Sequence, residues 1–141
     1  MAAASVVIVA VIALFLAGPS GSPTISFRLT SYAISTRDIV IYGKVTTPTD
    51  HAVNGAEVKI YRTVRHRTRT LDEVRTNSKG LYRLVLKHLS KVTLHEKIVI
   101  RFDKRRYSSA IRFIARPGHA YGVSVHLAQR GGLFFLPINS Y

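Results

Sequence analysis

Cationic side chains carry most of the chemistry this sequence could do. Arg62, Arg65, His66, Arg67, Arg69 and Arg75 crowd one short stretch, and Lys104, Arg105 and Arg106 form a second concentration beside Tyr107. Guanidinium groups at such spacing can fork onto phosphate, sulfate or uronate oxygens, with Tyr61, Tyr82 and Tyr107 as stacking faces. Arg62, Arg65, Arg67, Arg69, Lys104, Arg105 and Arg106 are therefore the candidate polyanion-binding residues. The competing reading is a solvated loop in a protein that is basic throughout. Across its 141 residues, 21 Lys and Arg stand against seven Asp and Glu, a formal charge of +14. A field of that sign attracts anionic polymers and opposes self-association unless specific contacts offset it. It does not name the anion.

Catalytic and metal chemistry is thin by comparison. The chain has no Cys, which removes thiolate nucleophiles, disulfides and cysteine-ligated metals together. The six histidines, His51, His66, His88, His95, His119 and His126, form no close-spaced ligand pair. His95-Glu96 lacks the rest of a zinc-protease motif, and His126 falls on the outward phase of its strand. Asp72 and Glu73 are adjacent on a strand and point to opposite faces, whereas paired-carboxylate catalysis needs two acids converging in a cleft. No Gly-x-Ser-x-Gly or Ser-x-x-Lys nucleophile is present. The sequence predicts no catalytic residue, no metal, no cofactor and no enzyme.

The elements that would position these cations have a period of two. Ile25, Phe27 and Leu29 alternate with polar residues. So do Ile39, Ile41 and Val45, with Gly43 in an inward slot that lets a neighbour approach closely. Val58 with Ile60, Tyr82 to Leu86, Ile98 to Phe102, Ile111 with Phe113, and Tyr121 to Leu127 continue the pattern. Turn residues punctuate it: Pro48-Thr49-Asp50, Asn54-Gly55, Asn77-Ser78-Lys79-Gly80 and Pro117-Gly118, the last two read as hairpin closures. A short helix within His88 to His95 is the one departure the pattern leaves room for. Seven or eight short strands in one domain predict an all-β Greek-key sandwich, transthyretin-like or immunoglobulin-like, over residues 23–130.

Apolar segments flank that domain. Residues 1–22 hold an uncharged run, Ala2 to Ala17, that ends in Gly18-Pro19-Ser20-Gly21-Ser22-Pro23. It is short for a spanning helix. Three readings stand side by side: a signal core cleaved between Ala17 and Ser22, a membrane anchor, or a retained assembly strand. The first lacks a basic n-region. The β-branched content of the run favours the last. Residues 131–141 hold Leu133-Phe134-Phe135-Leu136-Pro137-Ile138 behind a Gly131-Gly132 hinge, a sticky patch unless covered. Val7, Val9, Val11, Leu133, Phe134, Phe135, Leu136 and Ile138 are the candidate assembly residues. An edge strand folded back on its own domain is the plainer account of the tail.

Taken together, Gly43-Lys44-Val45, Val53-Asn54-Gly55-Ala56-Glu57-Val58-Lys59-Ile60, Thr76-Asn77-Ser78-Lys79-Gly80-Leu81-Tyr82-Arg83-Leu84, and Arg116-Pro117-Gly118 with Val123-Ser124-Val125-His126-Leu127 resemble the carboxypeptidase regulatory-like domain family, a transthyretin-like β-sandwich. The match runs from Ile39 to Leu127. It departs from the family at Asn77-Ser78, where an acidic residue is frequent, and in having no Gly before Tyr107. The resemblance implies a scaffold with an accessory, adhesion or structural role outside the cytoplasm, and is nearly silent on activity. Transthyretin-like ureide hydrolases end in Tyr-Arg-Gly-Ser; this chain ends Asn139-Ser140-Tyr141.

Two functions follow as expectations. The first is a non-enzymatic, extracellular or cell-surface structural module, a subunit of a homopolymeric fibre built through its terminal strands. The second is a monomeric accessory domain for a polyanion or glycan. Expected partners are copies of itself, or an acidic polysaccharide or anionic cell surface. No specific nucleic acid is expected, and a membrane only through residues 2–17 if they are retained.

Overall fold

The period-two alternation is realised as nine strands among the described residues, which in this computed structural model are 10–12 and 23–129. They are β1 (Ala10–Ile12), β2 (Thr24–Ala33), β3 (Ile39–Thr46), β4 (Glu57–Val64), β5 (Arg67–Arg75), β6 (Leu81–Leu86), β7 (Val92–Phe102), β8 (Arg105–Ala115) and β9 (His119–Ala128). Two sheets pack face to face as a β-sandwich, one ordered β1-β2-β9-β3-β6 and the other β5-β4-β7-β8. No helix occurs among the described residues. β9, the last strand among the described residues, is inserted between β2 and β3. It runs antiparallel to β2, from Thr24↔Ala128 to Ala33↔His119, and parallel to β3, from Ile39↔His119 to Thr46↔His126.

The inward residues of this alternation form one core. Ile39, Ile41, Val45, Ile60, Leu94, Ile98, Ile100, Ile111 and Leu127 are completely or almost completely buried. Gly43 has the close neighbour expected of it: a Cβ there would lie 2.2 Å from the Val123 carbonyl oxygen and 2.5 Å from the Tyr82 hydroxyl. No side chain fits. Thr76 ties the start of β4 to the end of β5, its hydroxyl donating to the Val53 carbonyl at 2.5 Å and accepting from the Ala56 amide at 2.8 Å.

Three sequence expectations are corrected, and one open possibility, a helix within His88 to His95, is not realised. The turn at Asn77-Ser78-Lys79-Gly80 forms, with Asn77 Oδ1 accepting from the Lys79 and Leu81 amides at 2.8 and 3.1 Å. However, it carries the chain from β5 in one sheet to β6 in the other rather than closing a hairpin. Pro117-Gly118 likewise joins β8 to β9 across the sandwich. Turn chemistry reverses the chain; which sheet receives the next strand depends on where an edge is free. In place of a helix within His88 to His95, strand β7 begins at Val92. The arginine-rich connection itself belongs to a strand, β5, expected only around Asp72-Glu73; most of its residues are exposed, so it lacked the alternation that marks the others.

One polar residue lies in the middle of this core. Glu96 is fully buried on the inward face of β7, opposite Ile60 and Ile111. The Tyr82 hydroxyl donates to its Oε2, and Oε1 has no partner. Burial pushes the Glu96 carboxyl up to about 8, although the Tyr82 bond acts the other way. Burial, followed by the charge of Glu96, raises the Tyr82 phenol well above its usual range. At neutral pH the native state therefore holds a proton that the unfolded chain releases. Stability should be highest below about pH 4.5, fall as pH rises toward 8, and level off above it. At about 1.4 kcal/mol for each pH unit between those values, the loss is on the order of 5 kcal/mol. Chemical denaturation of the wild type and Glu96→Gln between pH 5 and 9 checks this. The wild type should lose stability across the range and the variant should stay flat; parallel curves would refute it.

Candidate functional site

The first arginine cluster is a β-ribbon rather than a loop. Beyond a bulge at Ile60/Tyr61, β4 and β5 continue as a two-stranded extension paired Arg62↔Arg69, Thr63↔Thr68 and Val64↔Arg67. Arg65 and His66 turn it with φ values of 50° and 67°. This is the left-handed, two-residue hairpin turn that normally takes Asn-Gly, so these side chains hold it at a steric cost. Directly paired residues share a face, which puts Arg62, Val64, Arg67 and Arg69 together, around a hollow of about 550 Å³ that Arg65 also lines. Arg62 and Arg69 are directly opposed like charges, a destabilising pair by itself. None of the four arginines forms a salt bridge among the described residues. Arg62 Nε is buried without a hydrogen-bond partner.

The second cluster lies elsewhere. Asp103 and Lys104 make a similar left-handed turn between β7 and β8, closed by Phe102↔Arg105. Because β4 and β7 are antiparallel, with Glu57↔Val99 and Tyr61↔His95, the two hairpin tips emerge at opposite ends of their sheet. They are separated by about twelve residues of strand, on the order of 40 Å. The seven candidate cations are thus two sites. The expected stacking tyrosines change role as well. Tyr82 is buried against Glu96, Tyr107 packs against the core, and Tyr61 stacks on His95 with ring centroids 4.9 Å apart. Burial, and then the charge of Arg112, hold His95 below the usual imidazole range. Among the described residues, no group of three His, Asp or Glu is placed to hold a metal ion.

A third surface escaped the sequence reading. On the outer face of the five-stranded sheet, register aligns two rows across β2, β9, β3 and β6: Tyr32, Ala120, Val40 and Val85, then Thr30, Gly122, Tyr42 and Arg83. The Tyr42 ring leans across Gly122, where a Cβ would stand 2.8 Å from the Tyr42 hydroxyl and 2.9 Å from Thr30 Oγ1. Tyr32 and Tyr42 lie 6.3 Å apart, tilted at 58°. Burial, and then the hydrogen bond with Tyr32, raise the Tyr42 phenol above its ordinary value, so it stays protonated at neutral pH. Tyr32, Val40, Tyr42, Arg83, Val85 and Ala120 line an open groove of about 820 Å³, with Asp38, Leu81 and Asn77 on its margins, that also takes in Gly43 and Tyr82 and, from β5 of the other sheet, Val74 and Arg75. The signal was present in the outward phase of Tyr42 and in two small residues, Ala120 and Gly122, on the outward phase of β9. Without the neighbours of β9, nothing paired them.

Of the candidate assembly residues, Val11 lies in β1, which pairs antiparallel with β2 of the same chain through Ala10↔Leu29, Val11↔Arg28 and Ile12↔Phe27. Val7, Val9, Leu133, Phe134, Phe135, Leu136 and Ile138 lie outside the described residues.

Comparison with known proteins adds little to this geometry. No family model and no curated protein matches the chain. Among solved structures it is similar to the dioxygenase domain of a dioxygenase carbohydrate-binding protein fusion from the cellulolytic bacterium Streptomyces sp. SirexAA-E. That alignment has 11% identity and a TM-score of 0.44, and covers 67% of this chain and 82% of the other. A likeness of that size carries no functional argument.

Proposed function

We propose that this chain is a non-enzymatic structural module of the cell exterior that assembles with copies of itself by strand donation. The observation that carries the reading is β1. Among the described residues, a segment from the apolar N-terminal run adds to the outer edge of β2 at Phe27 to Leu29, part of a strand that extends from Thr24 to Ala33. An edge that accepts this segment within one chain can accept it from a neighbour, through the same backbone hydrogen bonds. Donation from copy to copy is heterologous and does not close, so it builds a filament. Apolar burial at about 25 cal/mol per Å² offsets the repulsion between strongly basic protomers. The resemblance to carboxypeptidase regulatory-like domains supports a scaffold role of this kind, and the apolar N-terminal run supports export.

Residues 5–16 must be retained for this mechanism. Mass spectrometry of the native protein should find them, and electron microscopy should show filaments that a variant lacking residues 1–22 cannot form. Cleavage between Ala17 and Ser22, or filaments unchanged by the deletion, would overturn the reading. A variant lacking residues 131–141 measures separately what the second apolar segment contributes.

The arginine ribbon favours a second role for the same module, adhesion to an anionic polymer. Opposed Arg62 and Arg69 without a carboxylate partner form a surface that a row of anions would relieve. Affinity for such a polymer should fall steeply with salt. Replacing Arg65, Arg67 and Arg69 with Ala should flatten the log–log slope by about one for each anionic group no longer neutralised. Arg65→Asn with His66→Gly provides the control, since it gives the turn its preferred residues. It should raise the melting temperature while weakening binding. Binding indifferent to salt and to both variants would refute the role.

A further inference from the structure

The groove on the outer face of the five-stranded sheet supports an inference independent of strand donation and of the arginine ribbon. Its floor is apolar: Val40, Val85 and Ala120, with the Tyr42 ring laid over neighbouring Gly122. An aromatic face carries partial negative charge and attracts the polarised C–H groups of a sugar ring. The two tyrosines supply two such surfaces, each with a hydroxyl at its edge. Arg83 is the direct cross-strand partner of Tyr42, which places their Cβ atoms about 5 Å apart on one face.

Charge specifies the ligand further. On the same face, the next row across β2, β9, β3 and β6 is Arg28, Ser124, Lys44 and Leu81. Arg28, Lys44 and Arg83 are not salt-bridged among the described residues. Asp38, on the groove margin, has its carboxylate 4.0 Å from Lys87 Nζ. The face therefore offers apolar stacking beside uncompensated cations, and a guanidinium fork matches a carboxylate or sulfate in two hydrogen bonds. We propose that this groove binds an acidic saccharide, with a sugar ring against Tyr42 and its carboxylate or sulfate group on Arg83. A neutral glycan would leave Arg83 unanswered. The open hollow that these residues share with Val74 and Arg75 of β5, about 820 Å³ in all, is within the size range of small-ligand sites.

The test is calorimetry on the full chain with short oligogalacturonates, using neutral dextran oligosaccharides and single-stranded oligouridylate for comparison. The galacturonate should bind and the dextran should not. Arg83→Ala and Tyr42→Ala should each weaken binding about tenfold, the size expected for one charge-assisted bond or one stacked ring. Arg83 is exposed, so its variant should fold normally even if Tyr42→Ala does not, and Tyr42→Phe should keep most of the affinity. Replacing Arg65, Arg67 and Arg69 with Ala should leave this short ligand unaffected, which separates the groove from the ribbon. Binding that survives Arg83→Ala, follows the ribbon variant instead, or is tighter for the oligouridylate would overturn the proposal.

Discussion

The insertion of β9 between β2 and β3 is the constraint on which the rest of this structure depends. Its inward residues, Tyr121, Val123, Val125 and Leu127, are buried in the core. Hydrogen-bonded neighbours on both sides fix which residues stand opposite one another. Because the side-chain period is two, a slip of one residue would turn that core outward. The same register puts Ala120 and Gly122 on the opposite face, beneath Tyr32 and Tyr42. The core and the groove are therefore two faces of one pairing pattern.

Gly122 and Gly43 show how little slack that pattern leaves. Each gives its space to a tyrosine: Gly43 inward to Tyr82, and Gly122 outward to Tyr42. The consequences differ with burial. Tyr82 spends its hydroxyl on Glu96, inside the protein, where a carboxyl without water holds its proton. Tyr42 remains at the surface, where its ring is available as a floor. A fold whose core contains a protonated acid is biased toward acidic surroundings, since deprotonating Glu96 opposes folding.

The cations are distributed rather than pooled. Two hairpin tips at opposite ends of one sheet and a row across the outer face of the other carry charge with few carboxylates near them. Spacing like charges over separate surfaces limits repulsion within the fold, and it leaves several faces able to meet anions.

The all-β class was legible because alternation such as Ile39, Ile41, Gly43 and Val45 states directly which side of each strand is buried. The slot at Gly43 and the turn at Asn77 were legible because glycine and Asx chemistry act locally. The arginine cluster was legible as charge, but its shape was not: β5 is wet on most of its length and carries no alternation to betray a strand. Glu96 looked like an ordinary acid beside a histidine. Its burial comes from its place between Ile60 of β4 and Ile111 of β8, facing Tyr82 of the other sheet. Sequence by itself determined the period, the turns and the charge, which are properties of neighbouring residues. Tertiary structure alone decided which sheet received β6 and β9, that the two basic tips point away from each other, and that Tyr32, Tyr42 and Arg83 share one surface. These depend on strand pairing between distant segments, and no local pattern encodes the partner.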